Sequence, residues 1–194
     1  TRLGSPVLFT QIRPGKDGKL FRMYKFRSMT DERDAEGNLL PDDVRLTEFG
    51  KKLRATSADE LPELINIFKG DMSVVGPRPQ LVRDMVFFTE EEMQRQSVYP
   101  GLTGLAQICG RNNITWKEKF AFDLQYIKDI SFLEDMRIIF RTVFKVSAQE
   151  DIATDGMETA EDYGDWLLRT GQIEKDEYDK KQAEAKKMLD EYSI

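Results

Sequence analysis

The chain contains no histidine and only one cysteine, Cys109. Without histidine there is no Ser-His-Asp or Cys-His nucleophile pair, no histidine general base and no histidine-ligated zinc. A single cysteine excludes an intrachain disulfide, and we expect Cys109 to be a small core residue. Carboxylates, lysine, arginine and tyrosine must therefore carry any chemistry, and any metal site would use oxygen ligands.

The chain also lacks a long apolar run. No stretch approaches the roughly 20 apolar residues that span a bilayer, and no signal-peptide pattern is present. Because the sequence begins at Thr1 rather than at a methionine, we expect a trimmed chain. Its 194 residues are 40% apolar and 33% charged, which is typical of one globular domain or of one domain with an appendage.

Charge is unevenly distributed along the chain. Residues 147–194 contain 14 acidic and 6 basic residues, a net charge of -8, whereas residues 1–146 have a net charge of +2. This shift predicts a boundary near Ser147 between a folded body and an acidic, solvated helical tail. Since few contacts cross a domain boundary, we expect the body to fold without the tail.

The pattern of apolar residues predicts an α+β fold that is mostly helical. Two β-prone runs flank a segment of turn-forming residues and predict a β-hairpin, Val7–Ile12 with Leu20–Phe26, packed on the helices. A loop over residues 31–43 and a short helix over 46–53 follow. Further helices are predicted over Glu90–Gln96, Trp116–Lys128 and Phe132–Val146, and the last of these is amphipathic.

Ser57-Ala58-Asp59-Glu60 has the form of a helix capping box, and apolar residues follow it at helical spacing as far as Phe68. At a helix N-terminus, Asp59 and Glu60 would lie where a phosphate can bind. One carboxylate could attack phosphorus while the other holds a divalent cation such as Mg²⁺. The alternative is that both residues only complete the cap.

Four basic residues are candidates to bind phosphate oxygens around these carboxylates. They are Lys25, Arg54, Arg78 and Arg111. Each could instead be an ordinary surface cation, although Arg78 and Arg111 lie in tight loops. Aromatic residues do not alternate with these cations as they do on a nucleic-acid surface, and the chain is acidic overall, so we expect no nucleic-acid partner.

Taken together, the motifs resemble those of the bacterial sugar transferase family, the monotopic polyprenyl-phosphate phosphoglycosyltransferases. The likeness covers about residues 4–146, which would form the catalytic domain, and is closest to the small bacillosamine-type enzymes of protein glycosylation. The matching segments are Gly4-Ser5-Pro6-Val7, Arg13-Pro14-Gly15, Tyr24-Lys25-Phe26-Arg27-Ser28-Met29, Asp59-Glu60-Leu61-Pro62-Glu63-Leu64, Lys69-Gly70-Asp71-Met72-Ser73-Val74-Val75-Gly76-Pro77-Arg78-Pro79, Pro100-Gly101-Leu102-Thr103-Gly104, Gly110-Arg111-Asn112 and Ser131-Phe132-Leu133-Glu134-Asp135.

The resemblance implies a two-step reaction. Asp59 would attack the β-phosphorus of a UDP-sugar, release UMP and pass the phosphosugar to polyprenyl (undecaprenyl) phosphate, while Glu60 would hold Mg²⁺. The remaining substrate-binding positions would be Lys25, Arg54, Arg78, Arg111 and Asp135. The bacillosamine-type likeness favours an N-acetylated amino sugar.

The family works at the cytoplasmic face of the bacterial inner membrane and uses an N-terminal membrane helix that these residues lack. The helix Phe132–Val146 is therefore expected either to rest on the membrane interface or to pack on its own core. In the tail, residues 166–173 resemble the helical SHOCT module, which implies homo-oligomerisation or partner contact as the alternative to a solvated appendage. A glycan-assembly scaffold and a nucleotidyltransferase that releases pyrophosphate are the rival functions.

Overall fold

The computed structural model describes residues 3–110, 114–148 and 161–192. It begins with the predicted β-hairpin, in which β1 (Leu8–Pro14) pairs antiparallel with β2 (Leu20–Phe26). Leu8 lies opposite Phe26 and Pro14 opposite Leu20, so the pairing runs over the whole length of both strands. Asp17 has a positive φ of 56° in the connecting turn.

Helices make up most of the rest of the described chain, so the predicted class, α+β and mostly helical, is confirmed. The predicted helices after the capping segment are all present, with small shifts at their ends. In chain order the further elements are α1 (Asp42–Arg45), α2 (Glu48–Ala55), α3 (Glu63–Lys69), β3 (Ser73–Val75), α4 (Val82–Met85), α5 (Glu90–Met93), β4 (Gly101–Thr103), α6 (Leu105–Cys109), α7 (Trp116–Lys128), α8 (Phe132–Ala148), α9 (Tyr163–Arg169) and α10 (Lys175–Tyr192).

A parallel strand pair, which the sequence pattern did not reveal, joins two distant loops. Ser73 of β3 lies opposite Gly101 of β4, and Val75 lies opposite Thr103. The backbones approach so closely that a Cβ on Gly76 would lie 2.4 Å from the carbonyl oxygen of Tyr99. This contact fixes the path of the chain immediately before Arg78.

The predicted capping box at Ser57 is wrong. Ser57 adopts a left-handed conformation with φ 53°, its side chain makes no capping hydrogen bond, and Ala58–Glu60 forms a single 3-10 turn. The helix that follows begins only at Glu63, after Pro62, whose fixed φ suits a helix start. Capping boxes do occur elsewhere, at Thr89 with Glu92 and at Thr115 with Glu118.

Cys109 is exposed, so its prediction as a core residue is also wrong. It ends α6, a helix whose buried side is formed by Leu105, Ala106 and Ile108. Cys109 is the last residue of the helix and, unlike these three, is exposed.

Two helices expose apolar side chains to solvent. On and just before α3 these are Leu61, Leu64, Ile65 and Phe68, and Phe68 is 95% exposed. On α8, Ile138 is fully buried whereas Phe140, Val143 and Phe144 are exposed. Among the described residues, no helix combines the length and apolarity needed to cross a membrane.

The helices of the tail share a hydrophobic core with the body. Tyr163 and Leu167 of α9 are buried in one cluster with Met85, Phe87, Phe88, Trp116 and Phe120. The expectation that few contacts link the acidic tail to the body therefore does not hold for residues 161–192. The charge shift marks a change in surface character rather than the edge of the core.

We expect Leu167→Ala to lower the free energy of unfolding by about 2–5 kcal/mol, the usual cost of truncating a buried leucine. Leu133→Ala is the matched control, because Leu133 is 80% exposed and its loss should change stability by no more than about 0.5 kcal/mol. Chemical denaturation of both variants measures the difference. Equal, small effects would mean that the tail is not part of the core.

Candidate active site

The 3-10 turn that carries Asp59 and Glu60 lies beside strand β2. Asn66 is fully buried and joins α3, the helix that follows this turn, to β2. Its Nδ2 donates to the carbonyl oxygen of Arg22 at 2.8 Å, and its Oδ1 accepts from the backbone N–H of Tyr24 at 3.1 Å. These bonds bring Lys25, the next residue of β2, within reach of the turn.

Glu60 is the centre of the site. Its Oε1 accepts a hydrogen bond from Lys25 Nζ at 2.9 Å and another from Arg78 Nη2 at 2.5 Å. Burial by itself would raise the pKa of Glu60, but the charges and hydrogen bonds of Arg78 and Lys25 outweigh it and hold that pKa well below its usual range. Glu60 is therefore ionised, and it joins three segments that are distant in sequence.

Asp59 is buried next to Glu60. Burial, and then the charge of Glu60, raise the pKa of Asp59, whereas Lys25, Arg54 and Arg78 act to lower it. Arg54 is oriented by its hydrogen bond to Ser28, with Nε 3.0 Å from the hydroxyl oxygen. A buried carboxylate with several positive charges nearby suits a nucleophile for an anionic substrate.

The backbone around Arg78 is held from two sides. Gly101 donates its backbone N–H to the carbonyl oxygen of Pro77 at 3.0 Å, and Arg95 Nη2 donates to the carbonyl oxygen of Arg78 at 2.7 Å. The carboxylate of Glu60 raises the pKa of Arg78 still further. The guanidinium is thus a permanent positive charge with a fixed direction.

Glu63 belongs to the same cluster, and sequence reasoning missed it as a site residue. Its side chain is almost completely buried, and its Oε1 lies 3.2 Å from Lys25 Nζ in an ion pair. The pKa of Glu63 is raised, mainly by burial. The charges of Lys25 and Arg78 act to lower this pKa, and the charge of Glu60 acts to raise it. Its spacing of three residues from Glu60, which puts two helical residues on one face, was the available signal.

One predicted site residue within the described part of the chain is not part of this cluster. Asp135, in the first turn of α8, accepts a hydrogen bond from the hydroxyl of Tyr126 at 2.8 Å, and the same hydroxyl shares its single proton weakly with the carbonyl oxygen of Val75 at 3.4 Å. Asp135 thus helps to hold β3 rather than contacting Glu60. Arg111 lies outside the described residues.

No group of three or more acidic or cysteine side chains among the described residues is arranged as a ready-made metal site. One oxygen of Glu60 is engaged by Lys25 and Arg78, which leaves its second oxygen and those of Asp59. Mg²⁺ is commonly held by one or two carboxylates together with substrate phosphates. The donor set therefore suits a Mg²⁺ ion that arrives with a phosphate-bearing substrate.

Comparison with known proteins places this chain in a family. The model of the bacterial sugar transferase family matches residues 1–149. The sugar transferase EpsL of Bacillus subtilis is 52% identical over 160 residues, which cover 82% of this chain and 79% of EpsL. The exopolysaccharide production protein PSS of Rhizobium leguminosarum is 43% identical over 152 residues, or 71% of this chain and 76% of that protein.

The chain belongs to the bacterial sugar transferase family, as its motifs indicated. A Klebsiella pneumoniae relative, named UDP-glucose:undecaprenyl-phosphate glucose-1-phosphate transferase, is 44% identical over 153 residues, or 72% of this chain. The chain spans only 32% of the length of that relative. The family match ends at residue 149, so it does not include α9 and α10.

We expect Glu63→Gln to stabilise the protein above about pH 5 and to leave its stability nearly unchanged below about pH 4. Because its pKa is raised in the folded state, Glu63 holds its proton to higher pH in the folded than in the unfolded chain. Its contribution to the free energy of unfolding therefore falls as pH rises from the unfolded to the folded pKa. Glutamine does not titrate, so the free energy of unfolding of the variant does not fall in this way as pH rises.

The measurement is the melting temperature of Glu63→Gln and of wild type across this pH range, with Glu91→Gln on the exposed side of α5 as the control. The difference between Glu63→Gln and wild type should grow with pH. A difference that shrinks with pH would show that the ion pair with Lys25 outweighs the burial of Glu63.

Proposed function

We propose that this protein transfers a sugar 1-phosphate from a UDP-sugar to polyprenyl phosphate, giving polyprenyl-diphosphate-sugar and UMP. The observation that carries the proposal is the buried carboxylate pair Asp59–Glu60 facing Lys25 and Arg78 in a chain without histidine. Such a site can bind a diphosphate and offer it a carboxylate nucleophile. The name of the Klebsiella relative supports the donor and acceptor classes.

In the first step an oxygen of the Asp59 carboxylate attacks the β-phosphorus of the UDP-sugar. A new P–O bond to Asp59 forms, the bond from the β-phosphorus to the bridging oxygen breaks, and UMP leaves with that electron pair. In the second step a phosphate oxygen of the polyprenyl phosphate attacks the same phosphorus, and the bond to Asp59 breaks to restore the carboxylate. Neither step needs a net proton transfer, so the absence of histidine is no obstacle.

The cations of the site offset the charge that builds up during this exchange. The nucleophile is itself anionic, and the diphosphate adds further negative charge beside Glu60. Fixed positive groups in a site of low polarity stabilise such charge better than water does. Arg78, whose direction is set by its backbone contacts, is suited to bind phosphate oxygens in a fork.

Mg²⁺ would be held by Glu60, with Asp59 close by, and would neutralise part of the charge of the diphosphate when bound. Glu60 remains ionised because of Lys25 and Arg78, so a ligand oxygen is available throughout the neutral pH range. In this arrangement Lys25 and Arg78 orient the Glu60 carboxylate toward the substrate, and they do not compete with Mg²⁺ for it.

The exposed apolar side chains of α3 and α8 support a location at the membrane surface. The resemblance to the family implies the cytoplasmic face. Leu61 directly follows Glu60, so the apolar side of α3 begins at the active site. Amphipathic helices of this kind rest in the interface with their apolar side toward the lipid. A long isoprenoid acceptor would then reach the phosphate site without leaving the membrane.

The sugar itself is the least constrained part of the proposal. The bacillosamine-type motifs favour an N-acetylated amino sugar, whereas the names of several relatives refer to glucose or galactose. A UMP-release screen over a panel of UDP-sugars decides between these donors. Release of pyrophosphate instead of UMP would identify the rival nucleotidyltransferase function.

We expect Asp59→Asn to abolish UMP release and to prevent formation of a phosphosugar adduct, because the amide is a very poor nucleophile. The fold should persist, since asparagine has the same shape and Asp59 is a buried group whose ionised form is disfavoured by burial. Asp43→Asn, on the exposed side of α1, is the control. Intact-protein mass spectrometry detects the adduct, and wild-type UMP release by Asp59→Asn would disprove the assignment.

We expect Glu60→Gln to reduce activity at least tenfold and to weaken its dependence on Mg²⁺. The neutral side chain can still accept hydrogen bonds but no longer offers a charge to the metal, to Lys25 or to Arg78. Loss of these charge-assisted bonds should also lower the free energy of unfolding by about 1.5–3 kcal/mol. Titration of UMP release with Mg²⁺ provides the measurement, and an unchanged titration curve would assign Glu60 a purely structural role.

A further inference from the structure

Helices α9 and α10 of the acidic tail lie outside the region that matches the family, yet they contact α4, the helix that follows the segment carrying Arg78. Asp84, 2% exposed at the centre of α4, accepts a hydrogen bond from the backbone N–H of Tyr163 at 2.8 Å. Arg83 of α4 pairs with Asp162 at 3.2 Å and with Asp165 at 3.1 Å. The tail is therefore fastened to the helix that follows the Arg78 segment.

Helix α10 holds the same segment through a second set of contacts. Lys181 Nζ donates to the carbonyl oxygen of Val86 at 2.6 Å, and Gln182 Nε2 donates to that of Arg83 at 3.4 Å. Tyr178, one turn earlier on this side of the helix, stacks on Phe87 with ring centroids 5.8 Å apart. One turn later, Ala185 is almost completely buried.

The aromatic cluster links the tail to Arg95. Tyr163 packs edge-on against Phe120 with ring centroids 5.0 Å apart, and it also contacts Phe88 at 5.9 Å. The guanidinium of Arg95 lies over the rings of both Phe88 and Phe120, at 5.5 and 5.8 Å. The tail thus packs against the two rings that support Arg95.

Arg95 connects this cluster to the catalytic cation. Its Nη2 donates at 2.7 Å both to Asp123 and to the backbone carbonyl oxygen of Arg78. Arg13 provides a second connection, since its Nη1 donates to the carbonyl oxygen of Pro79 at 3.3 Å and its charge interacts with that of Asp84. Both connections end on the backbone next to the guanidinium that contacts Glu60.

We propose that the C-terminal helix pair α9–α10 is a positioning element for the reaction, which fixes Arg78 toward Glu60 through Arg95 and Arg13. This inference rests on the proposed function for the role of Arg78 toward a diphosphate. The acidic residues Asp162 and Asp165 serve in it as partners of Arg83. No residue of the tail need touch the substrate.

The test compares two alanines on α10 that differ in burial. Ala185→Leu forces a larger side chain beneath the helix and should lift it from α4, whereas Ala183→Leu adds the same side chain on the exposed side. Hydrogen exchange is measured at Gly101, whose N–H donates to Pro77, and over residues 76–82. We expect faster exchange at these sites in Ala185→Leu and wild-type exchange in Ala183→Leu.

The second readout is binding of UDP in the presence of Mg²⁺, measured by calorimetry. We expect Ala185→Leu to weaken UDP binding about tenfold, which corresponds to about 1.4 kcal/mol, and Ala183→Leu to leave it unchanged. If the tail acts through Arg78, the same substitution in an Arg78→Lys background should cause little further loss, because two changes in one network are not additive. UMP release should follow the same pattern.

The proposal would be overturned if Ala185→Leu showed faster exchange only in α4, with unchanged exchange at Gly101 and unchanged UDP affinity. The tail would then be a simple packing element. Additive losses with Arg78→Lys would also overturn the proposal. If Ala185→Leu does not fold, Lys181→Met, which removes the bond to Val86 and the contact of the ammonium group with the Phe87 ring, is judged by the same criteria. If wild type does not bind UDP, the proposed donor is wrong, and the exchange data alone decide the role of the tail.

Discussion

The site depends on one buried interaction, the contact of the Glu60 carboxylate with Lys25 and Arg78. Burying this carboxylate without positively charged partners would be costly, and Lys25 and Arg78 are those partners. Together they fix one another, and they connect the hairpin, the 3-10 turn and the segment after β3. The same contact places two fixed cations beside the carboxylates, where they can bind the oxygens of a diphosphate.

The rest of the fold supplies supports for this contact. Asn66 joins α3 to β2 and so sets the distance between Lys25 and the carboxylates. Arg95 holds the backbone of Arg78, and its own charge is balanced by Asp123 at 2.7 Å in a nearly solvent-free environment. Each support is a buried polar group with its partners present, which is the condition under which such groups specify a geometry instead of destabilising it. Positioning of the catalytic side chains is therefore a property of backbone contacts as much as of side-chain charge.

Local patterns in the sequence predicted the elements that form from local interactions. The hairpin and helix α7 follow from alternation, turn residues and helical spacing, and Asp59, Glu60, Lys25 and Arg78 follow from motif and charge. The pattern failed where distant contacts decide. The sequence at Ser57 matches the capping-box pattern, but Ser57 adopts a left-handed conformation and the helix begins only after Pro62. The parallel pairing of β3 with β4 joins strands of three residues, too short to show a period, and the site role of Glu63 depends on Lys25, a residue far away in sequence.

The tail illustrates why a net charge does not reveal whether a segment is solvated. A run of acidic residues is compatible with a free helix in water and equally with a helix whose carboxylates meet buried or half-buried cations. Asp162 and Asp165 are of the second kind, because Arg83 faces them, while most charges of α10 remain exposed. What separates the two cases is the apolar spacing within the acidic run. Tyr163 and Leu167 lie four residues apart on one side of α9, and that side is the one the body covers.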